Sequence, residues 1–280
     1  MAEVKSAVNA TKAAQNSPKR TNGFWVNLGI VLVCIIIGQL IFKFVLGDPS
    51  NFADGATKHV PKPGNWKGNM YLGGFIVPFL MAAFMIMLAF VIERALAIRK
   101  AQGKTNGSEL VRKVQYHLAN KNVDAAIAEC DKQKGSVGNV MRAGLVKYKE
   151  MATNTELPMD EKLLAIQKEV TEATTLEVPT LEKNLVFLST LASAATLLGL
   201  IGTVIGMIRA FSAMSTAGAP DATALAAGIS EALYNTALGI STSFFAIIAY
   251  NFFTTIIDGV NYNIDESGFT LTQSFALNHK

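Results

Sequence analysis

Four apolar runs, parted by polar stretches, set the plan of this chain. They extend over about Phe24–Leu46, Tyr71–Ile98, Leu185–Met214 and Thr223–Ile257. Crossing a bilayer takes about 20 apolar residues, and every run is long enough. Lipid offers no partner for a bare N–H or C=O, so each run is predicted to be a helix that bonds its own backbone. The last two runs are overlong. A helix of about 30 residues extends about 45 Å, against about 30 Å of hydrocarbon. Both are therefore expected to tilt or to project into the cytoplasm.

The stretch between the second and third runs has a different period. Leu110, Val111, Val114 and Leu118 form a helix-period stripe within "SELVRKVQYHLANK". A second short helix, in "NVDAAIAECDKQKG", ends near Gly135, and "VGNVMRAGLVKYKEM" makes a third. After Pro158 a long helix leads straight into the third run. Pro179 inside it lacks an N–H and is expected to kink or briefly interrupt it. The fold class that results is all-α, a multi-pass membrane helical protein with long helices extending into the cytoplasm. Its expected parts are 1–23, a cytoplasmic segment; 24–46, an anchor; 47–70, an irregular periplasmic loop rich in Gly, Pro and Asn; and 71–98, a transmembrane helix. Then follow 99–183, a cytoplasmic helical domain; 184–214 and 223–258, two transmembrane helices joined by a periplasmic turn at 215–222; and 259–280, a cytoplasmic tail.

Composition agrees. Half of the 280 residues are hydrophobic and 16% are charged, too apolar for an ordinary soluble domain. Charge then sets the orientation. Fourteen Lys and Arg residues lie in 99–183, four precede the first run (Lys5, Lys12, Lys19, Arg20), three lie in 51–69 and none in 215–222. The basic segments share one side only if both termini are cytoplasmic. The same distribution removes nucleic acid as a partner, because the basic residues mark topology and form no basic–aromatic stripe. The first run has a basic lead but is longer than the apolar region of a cleaved signal, and no small-x-small site follows. It is expected to be a retained anchor, with Lys43 snorkelling at its end.

Little points to catalysis. Cys34 and Cys130 build no disulfide framework, and His59, His117 and His279 have no metal-ligand spacing. No P-loop, Gly-x-Ser-x-Gly or metal motif is present, so neither an enzyme nor a cofactor is expected.

The informative residues lie on the last two runs. In "LLGLIGTVIGMIRAF", Gly199, Gly202 and Gly206 share one helix face and permit close approach of another backbone. Thr203 borders that face. Its bland alternative is a hydroxyl bonded to its own helix. Arg209 can snorkel or pair with an acid. On the fourth run Gly228, Glu231, Asn235, Gly239 and Thr242 step by three or four and form a small or polar stripe. Thr236 and Ser243 form a second stripe beside it, while Leu233, Ile240, Phe244 and Ile247 are apolar. Two non-lipid faces suit a subunit in a ring, one for the neighbour and one for a central lumen. A carboxylate in a membrane is costly unless paired, so Glu231 marks an ion pathway or a socket for a partner helix, unless it is merely solvated among headgroups.

These residues carry a resemblance. "LLGLIGTVIGMIRAF", then "ALAAGISEALYNTALGI" and "AYNFF", resemble the MotA/TolQ/ExbB proton-channel family, in a form closest to ExbB. "ERALAIRK", Glu93 to Lys100, resembles the family's junction between a span and the cytoplasmic region, and the likeness covers roughly 71–258. It implies a homo-oligomeric ring of five in the bacterial inner membrane, with the last two spans lining a pore. It also implies single-span partners of the ExbD, TolR or MotB kind inside that pore, whose aspartate carries protons inward, and output to a TonB-like transducer. The family's key glutamate matches Glu231 in "GISEAL". Its pore threonines match Thr203 in "GTVIG" and Thr236 in "NTALG". With Asn235 these are the candidate proton-pathway and pore-lining residues. Gly199, Gly202, Gly206, Gly228 and Gly239 are the candidate helix-packing residues. The chain departs from the family at Thr196 and in "FFAIIAYN", where prolines are common, so helix shape is expected to differ there. The 24–46 anchor is additional to the three-span pattern of many members.

The implied function is a proton-motive-force-driven motor subunit that energises TonB-dependent outer-membrane transport. A TolQ-like or a gliding or secretion motor is the alternative within the family. A secondary transporter would show internal repeats and broken helices, which four unequal spans do not. A passive membrane scaffold would not need Glu231, Thr203 and Thr236 turned from lipid.

Overall fold

Helix dominates the backbone of the computed structural model, which describes residues 23–54, 60–216 and 222–279. The four basic residues expected to lead the first span, together with His59 and most of the 215–222 turn, lie outside the described residues. Among the described residues there is no strand, only an isolated bridge between Phe52 and Pro61. The helices are α1 (Gly23–Ile41), α2 (Trp66–Tyr71), α3 (Val77–Gln102), α4 (Gly107–Ala119), α5 (Val123–Gln133), α6 (Ser136–Thr153), α7 (Met159–Glu182), α8 (Leu185–Thr216) and α9 (Ala222–Asn278). Helical stretches long and apolar enough to cross a membrane lie in Trp25–Leu46, Gly74–Ala119, Met159–Ser212 and Leu225–Asn278. Neither α8 at Thr196 nor α9 along "FFAIIAYN" is interrupted, consistent with the missing prolines.

The chain forms two units. The first takes Met1–Ile86 and Leu198–Leu238. In it α1 lays Gly38 against α3, where a Cβ would sit 2.8 Å from the Pro78 carbonyl oxygen and 3.4 Å from the Ala82 methyl. The outer face of α1 (Trp25, Leu32, Val33, Ile36) is exposed and apolar, as a lipid-facing helix requires. The following segment, expected to be irregular, is instead folded around two asparagines. Buried Asn51 donates through Nδ2 to the carbonyls of Val45 (2.8 Å) and Leu46 (3.0 Å) and accepts from Asn65 at 3.1 Å. Asn65 caps α2 by accepting from the amides of Lys67 and Gly68. Tyr71 stacks on Phe42 and meets Phe52 edge-on. Asparagine side chains thus satisfy backbone groups that a Gly- and Pro-rich stretch leaves unpaired.

Within the first unit α8 and α9 approach closely through glycine. A Cβ on Gly206 would lie 2.9 Å from the Ala232 amide nitrogen and 3.0 Å from the Gly228 carbonyl oxygen. One on Gly228 would lie 2.7 Å from the Ala210 methyl, and one on Gly202 would strike Asn235. The face read from sequence is therefore a helix–helix contact inside one subunit.

The second unit takes Met87–Leu197 and Gly239–Lys280. Leu110, Val111, Val114 and Leu118 are fully buried there, as their spacing requires. The 259–280 stretch is no tail. Through Asn278 it is the end of α9, with Leu271 and Phe275 fully buried. Phe275 meets Tyr148 edge-on at 4.8 Å, and Asn278 donates to the Leu118 carbonyl at 3.0 Å. Glycine again permits the approach, since a Cβ on Gly144 would lie 2.5 Å from the Leu271 side chain.

Pro179 does not interrupt α7. The helix passes through it to Glu182, and the break falls at Lys183 and Asn184, where Asn184 takes the left-handed conformation (φ +65°) that asparagine tolerates. Proline removes a single intrahelical donor, and one missing bond near a helix end is cheaper than a break. Buried Arg94 secures this place. Its guanidinium grips Glu93 through Nε and Nη2, both at 2.7 Å, and donates through Nη1 to the Leu181 carbonyl at 3.2 Å. Asn184 donates to the same glutamate at 3.3 Å.

Two outcomes are expected. Gly206→Val should destabilise the subunit by about 1–3 kcal/mol, the usual cost of overpacking a full contact, measured as a lower Tm of the detergent-solubilised protein. Burial, with Asp131 and Glu129 nearby, pushes the Cys130 thiol up to about 12, and the thiolate is the reactive form. In a Cys34→Ala background, Cys130 should stay unlabelled by a maleimide at pH 8 until the protein is unfolded.

Candidate functional site

The candidate residues converge on the facing parts of α8 and α9. Thr203 and Thr236 share a hydrogen bond through their hydroxyls. Both hydroxyls also lie within reach of the Gly199 carbonyl, Thr203 at 3.2 Å and Thr236 at 3.4 Å; with one proton each, one donates to that carbonyl while the other donates to its partner hydroxyl. Thr203 therefore bonds to its own helix and to α9 at once, so the bland alternative for it is half of the truth. Both threonines are half-buried. Thr203 also borders a shallow apolar cavity of about 520 Å³ lined by Leu200, Val204, Met207, Ile208 and Phe211.

Glu231 and Asn235 lie deeper. Glu231 accepts a hydrogen bond from Arg209 Nη1 at 2.6 Å. The glutamate side chain is 11% exposed and the arginine side chain 50%. Of the two options for Arg209, pairing is the one observed. Asn235, 1% exposed, donates through Nδ2 to the Gly73 carbonyl at 2.9 Å. Its Oδ1 is buried with no hydrogen-bond partner among the described residues. The rest of the stripe is buried as well: Gly228, Gly239 and Thr242. Within the subunit, Gly228 and Asn235 of this face lie against Ala210 and Gly202 of α8, and Glu231 and Asn235 lie against the Gly73–Gly74 turn. Ser243, on the second stripe, donates to the Ala192 carbonyl. The apolar face is exposed as expected, at Leu233, Ile240, Phe244 and Ile247.

Gly73, Gly74 and Phe75 escaped the sequence reading. The turn ahead of α3 brings Gly74 (φ +72°) so near the ion pair that a Cβ would lie 2.5 Å from Glu231 Oε1 and 3.0 Å from Arg209 Nη1. The Phe75 ring centre is 5.8 Å from the guanidinium carbon. A Gly-Gly pair opening an apolar run was the available signal, since only glycine adopts such φ without strain.

Chemically, the arrangement offers one carboxylate with its counter-ion and a pair of joined hydroxyls. Hydroxyls and a carboxyl can hand protons on, because each can donate and accept. Among the described residues no His, Cys, Asp or Glu cluster could hold a metal ion.

Residues 133–266 match the model of the MotA/TolQ/ExbB proton channel family. An ExbB-like biopolymer transport protein of Synechocystis is 31% identical over 186 residues, 66% of this chain and 82% of the relative. The Tol-Pal system protein TolQ of Pseudomonas aeruginosa is 27% identical over 181 residues, 62% of this chain and 75% of the relative. The biopolymer transport protein ExbB of Helicobacter pylori is 42% identical over 71 residues, 25% of this chain and 49% of the relative. With four span-competent helices and these relatives, the chain is a multi-pass membrane protein and belongs to the MotA/TolQ/ExbB proton channel family.

Proposed function

We propose that this chain is the ring-forming subunit of a proton-driven inner-membrane motor of the ExbB type. It would work with a single-span ExbD-like partner and a TonB-like transducer to energise outer-membrane transport. Both termini face the cytoplasm, as does the 99–183 helical domain, whereas 47–70 and 215–222 face the periplasm. Five copies surround the partner helix, as in the family. Thr203, Glu231, Asn235 and Thr236 serve the proton pathway. The supporting observation is the Thr203–Thr236 hydroxyl pair, which joins α8 to α9 at a half-buried edge beside an apolar cavity. A half-wetted hydroxyl edge suits transient water and a visiting aspartate. One proton crossing about 100 mV releases about 2.3 kcal/mol, enough to bias a mechanical step.

A TolQ-type role is the second reading, supported by the TolQ proteins of P. aeruginosa and Haemophilus influenzae among the relatives. The two differ in the distant protein that receives the work. The test co-expresses the chain with its single-span partner and transducer in a host lacking its own ExbB and TolQ. Proton-dependent growth on a receptor-imported nutrient supports the ExbB reading. Restored outer-membrane integrity without import supports TolQ.

In whichever assay responds, Glu231→Gln should lower the rate about 10²-fold, the typical worth of a group that takes and gives a proton. Thr236→Val should lower it up to about tenfold, the worth of one hydrogen bond. Normal rates in both variants, with assembly confirmed by native mass spectrometry, defeat the pathway assignment.

A further inference from the structure

We infer that Arg209 is a built-in counter-ion that locks Glu231 inside its own subunit, and so is the positioning residue for proton exchange at that carboxylate. The inference rests on the reading of Glu231 as a pathway residue. Three elements make the lock. From α8, Arg209 Nη1 donates to Glu231 Oε1 at 2.6 Å. From the turn ahead of α3, Gly74 closes over both groups with no room for a Cβ, and Phe75 lies against the guanidinium. From α9 itself, Asn235, one helical turn beyond Glu231, holds that turn in place through the Gly73 carbonyl.

The charge count around Glu231 is simple. Arg209 is the charged group acting on it. Gly74, which lies against it, and Ala232 and Asn235, beside it and one turn on along α9, are neutral. A carboxylate bonded to a guanidinium has an oxygen already occupied. It takes up a proton only after leaving Arg209. The asymmetry of exposure says which partner moves: the arginine side chain is half-exposed and the glutamate nearly enclosed. Drawing the guanidinium outward frees the carboxylate, and the negative charge of an arriving acidic residue is suited to do that. The lock keeps Glu231 from exchanging protons idly when no such residue is near.

Dicyclohexylcarbodiimide tests this directly. The reagent modifies a carboxylic acid in an apolar setting. The acid's proton moves to a carbodiimide nitrogen, the carboxyl oxygen adds to the central carbon, and the adduct rearranges to an N-acylurea. It is applied to vesicles holding the full chain with its single-span partner, and labelling of Glu231 is read by mass spectrometry. Wild type and Arg209→Lys should label slowly. Arg209→Gln should label about tenfold faster or more, the effect of removing an opposite charge in contact. Gly74→Ala should do the same with both charges retained, since its methyl group separates the pair. Glu231→Gln should not label there. Equal labelling in wild type, Arg209→Gln and Gly74→Ala overturns the lock. Should Glu231→Gln drive work normally while the labelling contrast persists, the pathway reading fails and the lock stands.

Discussion

A carboxylate on a helix that belongs in oil has to find a partner, and the first unit is arranged around that need. Leaving Glu231 charged and unpaired would cost several kcal/mol. The partner stands on the neighbouring helix at 2.6 Å. Around this pair α8 and α9 lie almost backbone to backbone. Glycine at 202, 206 and 228 gives that proximity, because a methyl at any of the three would strike the facing helix. Each glycine also gives up helix propensity, of about 1 kcal/mol. A close-packed pair of spans thus trades intrinsic helix stability for contact, and the ion pair and the threonine pair are what the contact makes possible.

Asparagine is the second recurring device. Asn51 and Asn65 fold the segment after α1, Asn184 takes the left-handed corner between α7 and α8, Asn235 holds the Gly73 turn, and Asn278 ties the end of α9 to α4. An amide side chain offers both donors and an acceptor without charge. It can therefore replace the backbone partner that is missing wherever a helix ends or a turn is buried. Arginine does the same at Arg94, which combines a glutamate with a helix-terminal carbonyl.

Much of this was legible in the residues. The four spans, the buried stripe at Leu110 to Leu118 and the shared face of Gly202 and Gly206 follow from spacing, because each reflects one helix meeting one environment. The places where spacing misled are those where two helices or a side chain decide. Leu271 and Phe275 look unremarkable in a polar sequence, yet they are buried against α6 because Gly144 leaves room. Pro179 is tolerated, while the break at Asn184 is met by Arg94, some 90 positions earlier, which donates to the Leu181 carbonyl. The segment after α1 is rich in loop-forming residues, and the side-chain bonds that order it have no period to detect.

The stripe on α9 marks the boundary of such inference most clearly. Periodicity identifies a face that avoids lipid but carries no information about what fills it. Glu231, Asn235 and Thr242 were as consistent with a lumen as with a neighbour, and in the subunit they are enclosed by its own residues. What reaches the surface is narrower: the hydroxyl edge of Thr203 and Thr236, and the outer half of Arg209. Any chain that visits this region meets hydroxyls and a guanidinium before it meets the carboxylate. An approaching acid therefore encounters a cation first, which orders the events. The arginine is engaged, the glutamate is released, and only then is a second carboxyl free to share a proton.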